Sequence, residues 1–215
     1  FLIYFIVRRF TKAKKMPFAS FLFIPTALLI SLVGSLIYSF NADRSVLLLL
    51  SGEALILNLI LGLGSRLIPV ISRLPNALMP NQASQNPPQL FNTLILAVMF
   101  NLTFITQLLG FENFSLISRT LIITYALFKN FGIFAKPVIW TAVGVGLKIS
   151  TALLPLGTLL SAPYFGNPLA GLHVLYIGGF VLVTLLISTR VVLAHGGESL
   201  DYEVSSKRVM AFTAC

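Results

Sequence analysis

The residues best suited to hold a metal in this chain of 215 amino acids are its only two histidines, His173 and His195. A neutral imidazole offers one lone pair to iron, copper or zinc. The two lie 22 residues apart. At about 1.5 Å of helical rise per residue, that separates them by about 33 Å along one helix. They cannot share a metal, so each would need a partner from another segment. With no other histidine, the remaining donors are Met, Cys, carboxylate, backbone or water. The alternative is a histidine that simply marks a helix end at the membrane interface, and the bare sequence leaves both readings open. No nucleophile–base pair and no acid–base pair can be read, so nothing marks the chain as an enzyme.

His195 has the richer setting, Thr189-Arg190-Val191-Val192-Leu193-Ala194-His195-Gly196-Gly197. Arg190 stands about one turn earlier, Gly196 can end the helix, and a cation near a helix C-terminus is favoured by the dipole. The same cations could hold an anionic group, such as a cofactor carboxylate. Arg66, in Gly62-Leu63-Gly64-Ser65-Arg66-Leu67-Ile68-Pro69, forms a second cationic edge. Two charges fall within apolar runs, Glu53 and Lys148. Charges at membrane depth are costly and often functional. Glu53 and Lys148 could pair or line a polar path; the plainer reading puts Glu53 near the interface and lets Lys148 snorkel along its own stem. Asn58, Asn92, Asn101 and Gln107 read as hydrogen-bonding glue between helices.

What must position these groups follows from composition. The chain is 57% hydrophobic and only 10% charged, with net charge +9. A soluble domain carries about 25% charged residues, so a soluble fold and a disordered chain are both excluded. The single cysteine, Cys215, excludes a disulfide framework. The apolar runs are continuous, without period-two alternation, and about twice the length of a barrel strand, so helices are expected. The fold class is all-α, a polytopic transmembrane helix bundle treated as one domain. It would have six full spans, about 18–40, 46–63, 90–109, 116–134, 138–160 and 169–194, and truncated helices at both ends. The 116–134 span is the weakest, because it contains Arg119 and Lys129. Both ends read as cut, so a missing N-terminal half of the same protein is an expected partner.

The loops orient the bundle. One side collects Arg8, Arg9, Lys12, Lys14, Lys15, Arg66, Arg73, Lys129, Lys136, Arg190, Lys207 and Arg208, twelve of the fifteen basic residues. The other keeps Arg44 and Arg119, and Lys148 is left inside the fifth span. By the positive-inside rule the rich side is cytoplasmic, including the loop 65–89 with its five prolines. Charges scattered over separate loops in this way are topology signals, so nucleic acid is not an expected partner; the bilayer is. Oligomeric state is not legible.

At the quoted residues the sequence resembles the NnrS family, membrane proteins associated with haem, copper and the response to nitric oxide. One stretch is Gly62 to Pro69, similar to the family's glycine-glycine-arginine-valine-isoleucine-proline helix end. The other is Leu172-His173-Val174-Leu175-Tyr176-Ile177-Gly178-Gly179, continuing to Thr189–Gly197. There a histidine opens a helix that ends in threonine-arginine, a short apolar stretch, histidine and glycine. The resemblance covers roughly Met16 to Gly197, the later half of a family pattern of about twelve spans. It implies haem, and by the same token copper, with His173 and His195 as ligands. It makes Arg66 and Arg190 pattern positions near the cofactor, and it implies a bacterial cytoplasmic membrane. Many members carry a histidine shortly after a tryptophan in the fifth span; here Trp140 is followed by Thr141-Ala142-Val143-Gly144, one candidate ligand fewer. After the last histidine, Gly197-Glu198 replaces the usual small polar residue and arginine. The competing functional reading is half of a secondary transporter or channel with a polar path near Glu53 and Lys148. A third is a scaffold subunit without a small-molecule site.

Overall fold

The computed structural model describes residues 19–41, 43–75, 87–165 and 167–196. The apolar stretches expected at the two chain ends, the basic cluster 8–15 and Cys215 lie outside the described residues. Among the described residues there are six long helices: α1 (Ala19–Phe40), α2 (Arg44–Ile71), α3 (Pro87–Leu108), α4 (112–131), α5 (Ala142–Leu160) and α6 (168–195). No strand occurs among the described residues. All but α4 are long and apolar enough to cross a membrane. Their outward faces expose Leu29, Leu102, Leu121, Ile149, Ile177 and Leu185. That is ruinous in water and ordinary against lipid tails.

Local chemistry sets the helix starts. Asp43 caps α2 by accepting from the Ser45 amide at 2.9 Å and from the Ser45 hydroxyl at 2.6 Å. These bonds, the hydroxyl's first, hold its carboxyl below the ordinary value. Thr141 caps α5 through the Gly144 amide at 3.0 Å. Asn167 caps α6 through the Leu169 amide at 3.0 Å, with Pro168 in the first turn. Helix α5 therefore opens at Ala142, where the apolar run suggested 138: Pro137 and the Thr141 cap delay it. Helix α2 runs to Ile71, well past 63, with Pro69 inside it. A proline removes one helical hydrogen bond and crowds the carbonyl four residues earlier. A π-helical turn, Ile60–Gly64, sits just ahead of it. Wider turns of this kind also occur at Leu48–Ala54, Leu127–Phe131 and Val174–Val181.

The described residues divide into two compact units. The first holds α1, α2 up to Leu63 and α3 up to Ile105. Its core stacks Phe23 edge-on to Phe100 and Phe100 edge-on to Phe104, at 6.3 and 5.4 Å between ring centres. A polar rung crosses all three helices. Asn58 Nδ2 donates to Asn101 Oδ1 at 2.9 Å, Asn101 Nδ2 returns to Asn58 Oδ1 at 3.2 Å, and Thr26 Oγ1 adds a 3.4 Å bond to Asn58 Oδ1. Of the four residues read as glue, Asn58 and Asn101 thus pair with each other; Asn92 is exposed.

The second unit holds the end of α2 from Gly64, then everything from Thr106 onward. Its tightest packing is α5 against α6. A Cβ on Gly157 would lie 2.5 Å from the Leu175 backbone nitrogen, and one on Gly171 would lie 2.2 Å from that of Ser161. Small residues let the two backbones meet. The Ser65–Ile71 end of α2 packs against the α4 π turn, α5 and the last part of α6.

Candidate functional site

Both histidines ride on α6, one at each end of a single helix. His173 closes the first short segment, immediately before the π-helical Val174–Val181, and His195 is the last helical residue. Widened turns of this type often mark functional positions. Each imidazole is exposed, and each places Nδ1 2.8 Å from the carbonyl four residues earlier, Leu169 for His173 and Val191 for His195. A carbonyl only accepts, so Nδ1 is the protonated nitrogen in the neutral ring. Nε2 then keeps its lone pair and faces away from the helix's own backbone. Metal-bound histidines commonly have this arrangement, with the second ring N–H held by a carbonyl or carboxylate.

Arg66 and Arg190 are half-buried. Their helix segments, the tail of α2 and the end of α6, touch within the second unit. The structure therefore brings the stretch Leu182–His195, which carries Arg190 and His195, into contact with Ser65–Ile71, which carries Arg66. His173 lies at the opposite end of α6, away from that cationic edge. Among the described residues no three of His, Cys, Asp and Glu gather in a metal-chelating group.

The two in-span charges behave differently. Glu53 is buried in the first unit, 5% exposed, on the π-helical Leu48–Ala54. Lys148 belongs to the second unit. Its ammonium reaches back toward the start of α5, donates to the Ala135 carbonyl and lies 5.7 Å over the ring of Trp140. Side chains on a helix lean toward its N-terminus, so this reach is short and natural.

One residue eluded the sequence reading. Arg119 counts there as an outer topology charge, yet it is fully buried in α4. Its guanidinium donates to Gln107 Oε1 at 2.7 Å and to Ser115 Oγ at 3.2 Å. The signal was available: Ser115 stands one helical turn before Arg119, and Gln107 closes α3.

The architecture defines the class, a multi-pass helical membrane protein whose two histidines occupy opposite ends of one span. The family model described as NnrS protein matches residues 1–215, wider than the stretch on which the motif resemblance rested. The chain belongs to the NnrS family. No curated protein and no solved structure matches it.

Proposed function

We propose that this protein binds haem in a bacterial cytoplasmic membrane and contributes to resistance to nitric oxide. The reading takes six spans, α4 included, with the basic loops on the cytoplasmic side. Family membership supplies the class of cofactor. The single observation on the chain itself is the paired imidazole geometry: both histidines have Nδ1 committed to a carbonyl at 2.8 Å and Nε2 available. One imidazole per centre would suit haem, whose iron a single histidine can hold. A chelated copper ion fits less well, because no ligand cluster gathers among the described residues; copper would need donors from beyond them.

In this reading His173 or His195 would hold the iron through Nε2. Arg66 and Arg190 stand at the cytoplasmic edge of the same unit as His195, where guanidinium groups suit the carboxylates of an anionic macrocycle. A haem held there would supply an iron able to bind a small diatomic molecule. The chain's own residues orient the ring nitrogen, balance negative charge and keep the surroundings apolar. The transporter reading retains one favourable observation, the burial of Glu53 on a π-helical turn. Lys148 speaks against a shared path, since its ammonium is engaged by the Ala135 carbonyl.

The test is the pigment of protein purified from haem-replete cells. A Soret band that is lost or shifted in His173→Ala or His195→Ala, with helical circular dichroism intact, supports the assignment. No Soret band together with no metal above background overturns it, as does an unchanged band in both variants.

A further inference from the structure

Between α4 and α5 the chain makes a short connection, residues 132–141, that no haem-binding role uses. It is an unusual loop for its composition. Phe134 is 79% exposed, Val138 72% and Trp140 57%, while Lys136 points outward and Pro137 is buried between them. The loop is nonetheless firmly tied. Gly132 adopts φ 57 and ends α4, and the Ala135 amide closes a turn on the Gly132 carbonyl at 2.8 Å. The Val138 amide donates to the Arg73 carbonyl at 2.9 Å. The Lys148 ammonium fastens Ala135 from below and lies over the indole of Trp140. The exposed apolar side chains are therefore held out by a defined backbone.

What covers them follows from position and charge. Trp140 stands two residues before a helix long and apolar enough to cross the membrane, so the loop lies at the level where the bilayer meets water. Aromatic residues favour that level, and cationic residues beside it meet lipid phosphates. Residues 113–197 contain no Asp or Glu at all. Lys129 donates at 2.9 Å to the Tyr125 hydroxyl, a neutral partner, and among the described residues no carboxylate pairs with it. Lys136 adds a second ammonium within the exposed face. The geometry points to the 132–141 loop as a built-in anchor for anionic phospholipid, with Phe134, Val138 and Trp140 seated among the upper acyl chains and Lys129 and Lys136 on the headgroup phosphates.

Trp140 is the only tryptophan of the chain, so its fluorescence reports on this loop alone. The experiment reconstitutes the full chain in phosphatidylcholine bilayers and replaces a fixed fraction of lipid with acyl-brominated phosphatidylglycerol or with equally brominated phosphatidylcholine. The expected result is stronger quenching by the anionic lipid, corresponding to an association preference of at least about fivefold, the contribution of one basic residue near the surface. In the Lys129→Gln, Lys136→Gln double variant the preference falls to about one. Quenching by brominated phosphatidylcholine persists there, which shows that the variant is folded and inserted. Equal quenching of the parent by both lipids overturns the proposal. So does a preference that survives the double substitution, and so does the absence of quenching by either lipid.

Discussion

Substituting Gly171 with alanine is the sharpest structural test of how α6 is placed. A Cβ there would lie 2.2 Å from the Ser161 backbone nitrogen, and ordinary contact begins at 3.4 Å. The obstacle is backbone, so no rotamer change relieves it: α5 and α6 must separate by about an ångström along this crossing. Gly157→Ala meets the Leu175 nitrogen at 2.5 Å and is nearly as severe. Gly178→Ala meets Leu153 Cδ1 at 2.7 Å, the mobile end of a flexible side chain, and should be cheap. Gly52→Ala meets nothing within 4 Å and replaces the poorest ordinary helix former with the best. Overpacking costs about 1–3 kcal/mol, and a helical Gly→Ala change returns up to about 1 kcal/mol. The expected order of stability is therefore Gly52→Ala at or above the parent, Gly178→Ala near it, and Gly157→Ala and Gly171→Ala about 1–2 kcal/mol below. Denaturant unfolding in mixed micelles measures all four. If Gly171→Ala matches the parent, or Gly52→Ala costs as much as Gly171→Ala, the packing argument fails.

The polar rung of the first unit should show in a double-mutant cycle of Asn58→Leu and Asn101→Leu. Two reciprocal bonds at about 0.6 kcal/mol each give a coupling of about 1 kcal/mol, and a coupling of zero would remove the rung's energetic role. Arg119→Lys keeps the charge but loses the guanidinium fork. Losing a charged hydrogen bond to Gln107 should cost about 1.5–3 kcal/mol in the same unfolding assay. Asp43 titrates below its ordinary value, so its cap acts at neutral pH and is lost as pH falls through that lowered value. Asp43→Ala should thus speed amide exchange at the start of α2 at neutral pH, and the difference from the parent should vanish in acid.

Much of this fold was legible because membranes impose simple rules. Continuous apolar runs of span length could only be helices, and α1, α3 and α6 lie close to where those runs fall. Helix ends were harder. The tail of α2 passes straight through Pro69, since a wide π turn ahead of the proline gives the backbone room that a proline rule does not foresee. Counting charges gives Arg119 a topology role, whereas its burial depends on a Gln107 that only packing brings within 2.7 Å. The histidines were visible as types and spacing. The commitment of each Nδ1 to a backbone carbonyl was not, because it depends on rotamers.

The π-helical stretch Val174–Val181 lies between the two histidines on their shared helix. In an uninterrupted α-helix, residues 22 apart point about 40° from one another around the axis. Each extra residue taken into a widened turn rotates everything beyond it by about 100°. The stretch therefore acts as a gear between the ends of α6. Deleting one residue within it would leave both histidines in their local settings but re-aim one relative to the other. The relative azimuth of the two imidazoles is written in eight residues that carry no charge.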